Sequence, residues 1–455
     1  MNIGKQGKLF RKRIAVRIIF CLNHFFPDQI GGTEIYTLEL AKALKAKGHQ
    51  VLIVIPNYGK DKNDTYKFED VDVEKYAEPQ EVDRLFLQSN IPPQGLPAFC
   101  GLLERFVPDL VHFQEVTASR GISVFHLLDA KARGYKTIIT FHLAGHSCHT
   151  GNLMYVDKKS CDGMINISKC AWCTYNDKGL SYTKKALLFG TSNLFFRVGY
   201  DTRKWQHKAG TALAFHFIIE NLKKSFDQLT NACDHIVSIT TWYKEMLIKN
   251  GVNPSKITHI PQGLRKQAAC KNPKKTVDRL KLVFVGRISK IKGIHLLIEA
   301  LEALPEEKIS LAIYGQHNGD EYYNDCIRKS ARMNNITWCG VLQPEAVVQT
   351  ICLYDALCLP SICSEMSPLV IQEAFAAGLP VIASNVYGNA EQIKHGVTGW
   401  LFKLGDPEAL SSCLKELITQ PSKVLEAREN LPAARPFALV AEEYDKLYQE
   451  IIDSA

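Results

Sequence analysis

Residues 281–304 read KLVFVGRISKIKGIHLLIEALEAL and contain a whole strand–turn–helix unit. The apolar run 281–285 has the length and the β-branched content of a buried strand. A turn that begins with Gly286 and Arg287 follows it. From Ile294 onward apolar residues recur every three or four positions, which predicts a helix that ends near Pro305. A strand followed at once by a helix is the repeating unit of a parallel α/β sheet.

The same unit recurs on both sides of this stretch. Further strands are predicted at 16–22, 51–55, 109–113, 137–141, 235–239, 257–260, 310–314, 336–339, 356–359 and 381–383, with helices between many of them. The polar, lysine-rich residues 266–279 divide the chain into two halves. We therefore predict an α/β protein of two doubly wound, Rossmann-like domains that face each other across a cleft. In such sheets ligands bind beyond the carboxyl ends of the strands.

The domain boundaries follow from this pattern. The first domain covers 1–265 and contains a cysteine-rich insertion at about 145–200, where the alternation of strands and helices stops. The linker is 266–279, and the second domain covers 280–436. Residues 437–455 form a last helix with apolar residues in helical register, which we expect to pack back toward the first domain.

The composition of the 455 residues is ordinary for a globular protein, with 46% hydrophobic and 22% charged residues. It excludes intrinsic disorder and a bare coiled coil. No run of about 18 uncharged apolar residues is present, so we predict no helix that spans a membrane. The formal charge of +8 is modest and spread over most of the chain, and we expect no nucleic-acid partner.

The dense patch of positive charge is the N-terminus, which has no acidic residue among residues 1–17 and carries Lys5, Lys8, Arg11, Lys12, Arg13 and Arg17. Arg17 interrupts the following apolar run, and no small-residue cleavage site comes after it, which argues against a signal peptide. Two interpretations stay open: a patch that contacts an anionic membrane or an anionic acceptor, or a solvated tail. The first would place the protein peripherally on the inner membrane face.

The fourteen cysteines fall into two groups. Ten are scattered, several inside apolar runs, and are expected to be free thiols in a reducing, cytoplasmic compartment. Cys148, Cys161, Cys170 and Cys173 are clustered in the insertion, and the two-residue spacing of the last pair suits one tetrahedral metal ion. A structural zinc site is the favoured prediction; disulfides and unligated thiols are the alternatives.

Two glutamates form the most informative pattern of the second half, in the stretch SEMSPLVIQE at 364–373. Ser367 is predicted as the N-cap of a helix and Pro368 as its first residue. Glu365 then lies on the loop before the helix, and Glu373 lies inside it. Free amides at the start of this helix can bind an anion, and the two carboxylates can accept hydrogen bonds from sugar and ribose hydroxyls.

The turn GRISKIKG at 286–293 predicts a phosphate site. The Arg287 guanidinium can form paired hydrogen bonds with phosphate oxygens, and Lys292 adds a point charge. Gly293 allows a close approach of the backbone. The turn lacks the three glycines of the dinucleotide-binding fingerprint, so a dinucleotide is not predicted.

In combination these motifs resemble glycosyltransferase family 4, the retaining enzymes of two-domain GT-B architecture, over about residues 14–452 except the insertion. The pair of glutamates separated by seven residues falls on Glu365 and Glu373. Other family motifs fall on the Gly-Gly loop at Gly31 and Gly32, the donor-contacting histidine at His142, the diphosphate turn at Gly286, Arg287, Lys292 and Gly293, and the run Pro261–Leu264 before the linker.

The resemblance implies a role for each of these residues. Arg287 and Lys292 would hold the donor diphosphate and stabilise its charge, while Glu373 would bind the ribose hydroxyls. Glu365 would bind the transferred sugar, with His142 reaching it from the first domain. Donor contacts are also implied for Gly31, Gly32, Gly286, Met366, Ser367 and Leu369. The family needs no metal for transfer and retains anomeric configuration.

The function implied is transfer of a sugar from a UDP- or GDP-linked donor to a hydroxyl of a glycan or lipid-linked glycan, in cell-surface polysaccharide biosynthesis. The alternatives are a GT-B nucleotide-sugar epimerase and a catalytically silent binding subunit of a polysaccharide assembly complex. One departure from the family pattern is the stretch Tyr387-Gly388-Asn389-Ala-Glu391, where a Gly-Gly pair is usual. We expect Tyr387 to crowd or reshape the sugar pocket.

Overall fold

The structure is a computed structural model that describes residues 15–79, 84–117, 121–156, 158–265 and 278–454. Five cations of the N-terminal patch, Lys5, Lys8, Arg11, Lys12 and Arg13, therefore lie outside the described residues. The same holds for Cys270 and for nearly all of the predicted linker. Among the described residues, no helix is both long enough and apolar enough to cross a membrane.

Strands and helices alternate through both halves of the chain. The strands are β1 (Arg17–Cys21), β2 (Gln50–Tyr58), β3 (Asp64–Phe68), β4 (Val71–Glu78), β5 (Leu110–Phe113), β6 (Lys136–Phe141), β7 (Met154–Tyr155), β8 (Lys159–Ser160), β9 (His235–Ser238), β10 (Ile257–His259), β11 (Leu280–Val285), β12 (Ile309–Tyr314), β13 (Ile336–Gly340), β14 (Ala356–Leu359), β15 (Val381–Ser384) and β16 (Gly399–Phe402).

The helices are α1 (Gly32–Ala46), α2 (Arg84–Leu87), α3 (Leu96–Phe106), α4 (Val124–Ala132), α5 (Ile167–Asp177), α6 (Tyr182–Arg197), α7 (Lys208–Ala212), α8 (Phe215–Ala232), α9 (Thr241–Lys249), α10 (Ile294–Glu302), α11 (Glu321–Ser330), α12 (Val347–Ile351), α13 (Leu369–Ala376), α14 (Tyr387–Ala390), α15 (Pro407–Thr419), α16 (Ser422–Glu429) and α17 (Phe437–Asp453).

Two large sheets carry the fold. The first has the strand order β10-β9-β6-β5-β1-β2-β4-β3, and it is parallel except for the antiparallel pair β3–β4. The second has the order β13-β12-β11-β14-β15-β16 and is parallel throughout. In each sheet the order reverses at the first strand of the domain, as in a doubly wound fold. The predicted fold class of two such α/β halves is confirmed.

The insertion differs most from what its sequence predicts. Residues 145–200 contain the hairpin β7–β8 and two regular helices, α5 and α6, rather than irregular structure. The helices were missed because α6 has apolar residues on all sides, so the 3.6-residue alternation that reveals a surface helix is absent. Helix α5 is rich in cysteine and aromatic residues, which have only moderate helix propensity.

The last helix packs against the first sheet through buried hydroxyl groups. His112 of β5 contacts the hydroxyl of Tyr448 at 2.7 Å through Nδ1 and the hydroxyl of Thr140 at 2.8 Å through Nε2. The hydroxyl of Tyr444 lies 2.9 Å from that of Thr140 and 3.1 Å from that of Tyr36. Because each buried hydroxyl finds a partner, this network holds α17 in a single position.

Candidate active site

A cleft of about 350 Å³ is lined by residues of both halves of the chain. Of the residues singled out in the sequence, eight line it: Gly32, His142, Arg287, Lys292, Glu365, Met366, Ser367 and Leu369. Gly31 and Gly286 are the immediate chain neighbours of lining residues, and Glu373 lies four residues further along α13 than Leu369. These eight residues come from four separate stretches of the chain and converge on one space.

Lys292 and Glu365 are joined directly at the floor of this cleft. The Lys292 ammonium lies 2.5 Å from Oε1 of Glu365, and the Ser361 hydroxyl donates to the same oxygen at 2.7 Å. Both side chains of the ion pair are largely buried. A buried carboxylate with two donors is held in one orientation. A ligand phosphate can bind the same ammonium, because an ammonium has three donor hydrogens.

The turn that carries Lys292 requires its glycine. Gly293 has a φ of +71°, and a Cβ at this position would lie 1.9 Å from the carbonyl oxygen of Pro360. Any side chain here would therefore push the turn away from the loop that leads to Glu365. The close approach of Gly293 to Pro360 brings the 286–293 turn and the Glu365 loop together.

Helix α13 begins one residue later than its sequence suggests. Its N-cap is Pro368, with φ −61° and ψ 115°, so the prediction of Ser367 as N-cap and Pro368 as the first helical residue is wrong. The proline ring restricts φ but leaves ψ free to be extended, and proline is then as compatible with the cap as with the first turn. Ser367 instead lines the cleft. The predicted placement of Glu365 on the loop and Glu373 inside the helix is unchanged.

His142 follows β6 and presents a neutral ring to the cleft. Burial lowers the pKa of His142 to about 3. Its Nε2 lies 2.7 Å from Oε1 of Gln114. Since an amide oxygen only accepts, Nε2 carries the proton and Nδ1 is left as an acceptor. An uncharged acceptor of this kind suits a sugar hydroxyl better than a phosphate.

Glu373 is a carboxyl with an unusual acidity. Burial raises the pKa of Glu373 to about 7, with the charge of Arg265 opposing the shift. The group therefore changes its charge near neutral pH, where an ordinary glutamate is fully ionised. Its ability to accept hydrogen bonds from hydroxyls depends on that charge.

One cleft residue, Gln262, and one buried carboxyl at the start of α1, Glu34, escaped the sequence analysis. Gln262 is buried and lines the cleft, and its Oε1 has no hydrogen-bond partner among the described residues. A ligand donor would satisfy that oxygen. The sequence feature that could have identified Gln262 is its position in the Pro261–Leu264 motif. Glu34 is 2% exposed; burial raises the pKa of its carboxyl, and the charge of Arg287 is among the opposing influences.

The loop glycine Gly31 makes room for Glu34. A Cβ on Gly31 would lie 2.7 Å from Oε2 of Glu34, and Gln29 donates to the other carboxylate oxygen at 2.9 Å. The carboxyl thus folds back over the start of α1, where the helix dipole favours a negative charge. Arg287 of the second domain is close enough for its charge to lower the pKa of this carboxyl, against the effect of burial.

Tyr387 lies outside the cleft lining among the described residues. Its ring is stacked on Trp242 of α9, with centroids 5.0 Å apart and planes at 17°. Glu391 accepts hydrogen bonds from the backbone amides of Thr241 at 2.8 Å and Trp242 at 3.0 Å, and the Trp242 indole donates to the carbonyl of Met366 at 3.3 Å. We call Trp242, Tyr387 and Glu391 the domain clasp, because they join the two domains beside the Glu365 loop.

A second cavity, of about 280 Å³, opens beside the cleft on the first domain and shares His142 and Leu143 with it. Its walls include Phe141 of β6 and Phe226 of α8, and no lysine or arginine lies among the described residues that line it. Its one carboxyl belongs to Glu115, whose pKa is raised by burial to about 7. The cavity suits an uncharged group with an apolar face.

The insertion brings its four cysteines to one place. Cys148, Cys161, Cys170 and Cys173 line a cavity of about 20 Å³, and all four thiols are free. The amide of Val156 donates to the sulfur of Cys173 at 3.4 Å. In the described part of the chain, however, no three histidine, cysteine or acidic side chains are arranged to hold a metal ion. Zinc binding stays a prediction.

The same insertion contacts the loop that carries Glu365. The Ser364 amide donates to the carbonyl of Asn152 at 2.9 Å, and its hydroxyl donates to the carbonyl of Leu153 at 3.2 Å. Both acceptors belong to the turn before β7. The position of Glu365 therefore depends on the insertion as well as on the second domain.

Two family profiles match the sequence. That described as Glycosyltransferase Family 4 matches residues 30–163, and that described as Glycosyl transferases group 1 matches residues 266–434. The chain is 26% identical over 216 residues to the amylovoran biosynthesis glycosyltransferase of Erwinia amylovora, which covers 46% of this chain and 53% of that protein. It is 32% identical over 140 residues to the sulfoquinovosyl transferase of Arabidopsis thaliana, covering 30% of this chain and 26% of that protein. The chain thus spans about half, or less, of the length of these relatives.

Solved structures of low identity share the whole architecture. Sucrose-phosphate synthase from Thermosynechococcus elongatus is 16% identical, with a TM-score of 0.66 over 97% of this chain and 100% of that one. The Anabaena protein HepE in complex with UDP-glucose is 14% identical, with a TM-score of 0.60 over 97% of this chain and 100% of that one. These likenesses confirm the predicted GT-B fold.

Proposed function

Because the chain belongs to glycosyltransferase family 4, we propose that it transfers a sugar from a nucleotide-sugar donor to a hydroxyl of a glycan or lipid-linked glycan, with retention of configuration. The observation that carries the proposal is the convergence of Arg287, Lys292, Glu365 and His142 on one cleft. These groups supply two cations for a diphosphate, a carboxylate for sugar hydroxyls, and a neutral acceptor opposite them.

The diphosphate end of the donor would bind at the turn 286–293. In this arrangement Arg287 and Lys292 would face the negative charge that grows as the bond between the sugar and the diphosphate breaks, and they would favour the transition state over the ground state. Gly293 holds this turn against the Glu365 loop. The nucleoside would extend toward Glu373, whose ionised form accepts hydrogen bonds from ribose hydroxyls.

The sugar would lie between Glu365 and His142. Glu365 is already oriented by Lys292 and Ser361, which reduces the conformational freedom lost on binding. Free amides at the start of α13, near Met366 and Leu369, offer further donors. The acceptor hydroxyl would come from the first-domain side, where the 280 Å³ cavity adjoins His142.

The setting of the reaction is part of the same proposal. Relatives named for amylovoran biosynthesis and sulfoquinovosyl transfer support a role in building surface polysaccharides or glycolipids. The structural neighbour HepE was solved with UDP-glucose, which supports a UDP-linked donor over a GDP-linked one. We place the enzyme in the cytoplasm, where nucleotide sugars would reach it, and we propose no metal in the transfer step.

Screening UDP- and GDP-linked sugars for release of nucleoside diphosphate tests this proposal. We expect one donor to be hydrolysed slowly alone and faster with an acceptor, and the product's anomeric configuration, read by NMR, to match the donor's. The matched control is Glu408→Gln, a carboxyl of α15 that does not line the cleft. If no donor is consumed, or if the sugar is epimerised and stays on the nucleotide, the proposal is wrong.

A further inference from the structure

Helix α6 of the insertion exposes apolar side chains on its outer face. Leu187 is 72% exposed, Leu194 58% and Val198 66%. Their spacing of seven and four residues places them on one side of the helix. The opposite side is also apolar, because Phe189 packs on Trp172 with ring centroids 5.3 Å apart and Phe196 packs on Phe217 at 5.0 Å. A helix that is apolar all round normally contacts something on every side.

Exposed aromatic residues lie at both ends of α6. Tyr182 at the start of α6 is 73% exposed, and Tyr200 just past its end is 51% exposed. Trp205 lies beside Tyr200, with ring centroids 6.2 Å apart, and is also exposed. Tyrosine and tryptophan have an apolar body with a polar tip, which suits the boundary between water and lipid.

The charged residues of this face are all positive. Lys184 and Arg197 are exposed and form no ion pair with the described residues, and no aspartate or glutamate occurs from 178 to 200. A face that binds another protein with charges of both signs would not need an excess of positive charge. Cations beside apolar side chains complement the phosphate groups of anionic lipids.

We propose that this surface, the α6 face of Lys184, Leu187, Leu194, Arg197 and Val198, lies on an anionic lipid bilayer. The helix is roughly 24 Å long at about 1.5 Å per residue, so it lies in the plane of the interface rather than across the bilayer. This assigns membrane contact to the insertion, whatever the N-terminal cations do. It does not depend on the proposed function.

The position of α6 also places the proposed membrane contact near the 280 Å³ cavity. Helix α6 packs against α8, and α8 supplies Leu222 and Phe226 to the wall of the 280 Å³ cavity. A bilayer on the α6 face would therefore lie one helix layer from that cavity. If the proposed transfer reaction holds, an acceptor anchored in the bilayer can present its hydroxyl there without leaving the lipid.

Co-sedimentation of the full chain with vesicles tests the proposal. The vesicles are phosphatidylcholine alone, or phosphatidylcholine with about a third phosphatidylglycerol. We expect Leu187→Asn/Leu194→Asn to lower the partition coefficient at least roughly tenfold on the anionic vesicles. Lys184→Glu/Arg197→Glu should abolish the preference for anionic vesicles, and added salt should weaken binding of the unaltered chain.

The matched control is Val341→Asn/Leu353→Asn, two apolar residues of the second domain that are 62% and 60% exposed. Its binding to vesicles should equal that of the unaltered chain, and all variants should keep their melting temperature and nucleotide affinity. Unchanged binding by the Leu187/Leu194 variant would overturn the proposal. So would loss of all binding on replacing Lys5, Lys8 and Arg11 by glutamine, or a dimer that this leucine variant disrupts.

Discussion

At the scale of single residues, the diphosphate site depends on two cations that differ in their contacts. Lys292 is paired with Glu365, whereas Arg287 is exposed on the other part of the turn. We expect Arg287→Ala and Lys292→Ala each to weaken nucleoside diphosphate binding roughly 10- to 150-fold, because a charge-assisted hydrogen bond contributes about 1.5–3 kcal/mol. Calorimetry measures this. The affinity for the nucleoside alone is the control, and an unaltered diphosphate affinity in both variants would show that the phosphates bind elsewhere.

Glu365 should matter more for turnover than for donor affinity. Replacing it by glutamine keeps the shape but removes the charge that Lys292 and Ser361 hold in place. We expect the Glu365→Gln variant to lose at least about 100-fold in transfer rate while donor affinity changes less than about tenfold, since the interaction strengthens in the transition state. Its melting temperature should move little. Near-normal turnover at unchanged stability would exclude a catalytic role for this carboxyl.

Glu373 should make nucleoside binding depend on pH. Burial raises the pKa of its carboxyl to about 7, and the proposed ribose contact requires the ionised form. Binding below this pKa therefore requires loss of a proton first. We expect nucleoside affinity, measured by calorimetry, to fall by up to about tenfold per pH unit below about 7 and to level off above it.

The Glu373→Gln variant is the control for that titration, because it cannot ionise. Its nucleoside affinity should be nearly independent of pH, and an identical pH profile in both proteins would contradict the assignment. The same carboxyl affects stability. Between about 4.3, the ordinary glutamate pKa, and about 7 the folded chain keeps a proton that the unfolded chain releases. Its contribution to the free energy of unfolding therefore falls as the pH rises through that window.

At the scale of elements, the cysteine insertion connects a small cavity to the Glu365 loop. Four thiols line the cavity, and the turn before β7 accepts hydrogen bonds from the amide and the hydroxyl of Ser364. Leu153, Met154 and Ile165 of this segment are buried in the core of the first domain, and a bound metal would add to the folding energy that their burial supplies. The insertion would then stabilise the sugar pocket indirectly.

We expect about one zinc ion per chain in protein purified without a histidine tag, measured by elemental analysis. Cys170→Ser/Cys173→Ser should release the metal, make residues 145–175 sensitive to protease and lower transfer, while nucleotide affinity of the second domain is kept. Cys326→Ser, a buried cysteine far from the insertion in the chain, is the control and should retain the metal. Absence of stoichiometric metal in the unaltered chain would leave only the disulfide and free-thiol interpretations.

At the scale of the whole molecule, the domain clasp sets how the two halves meet. Glu391 of the second domain accepts hydrogen bonds from the first amides of α9, and Trp242 and Tyr387 stack across the boundary. Aromatic pairs of this kind contribute about 0.5–1.5 kcal/mol beyond their buried area. Because the Trp242 indole also donates to the Met366 carbonyl, the clasp is connected directly to the loop that carries Glu365, where we propose that the sugar binds.

Trp242→Leu and Tyr387→Leu should each weaken donor affinity roughly two- to tenfold, and the double variant should lose little more than either single one. Calorimetry with the intact donor measures the affinities of the unaltered chain, the two single variants and the double variant, which together form a double-mutant cycle. Nucleoside affinity, which concerns the second domain, should stay constant in all three variants. Fully additive losses would mean that the two rings act independently and that the stack does not hold the closed state.

The sequence by itself determined the two α/β halves, the turn at 286–293, the loop position of Glu365 and the helical position of Glu373. Each of these features follows from residues that are close together in the chain. The signals are a run of apolar residues for a strand, a glycine for a turn, and apolar residues that recur every three or four positions for a helix. Such local patterns restrict the backbone directly, so they can be read without knowing what the segment contacts.

Only the tertiary structure decided which of these segments meet. The Lys292–Glu365 pair joins residues 73 positions apart, and the bond from Thr241 to Glu391 joins residues 150 apart. Nothing in the local sequence specifies such partners, because they depend on how two sheets and an insertion pack. The N-cap at Pro368 and the raised pKa of Glu373 follow from the same packing. The outer face of α6 has the same origin, since apolar residues on both sides of a helix do not reveal which side the fold leaves in solvent.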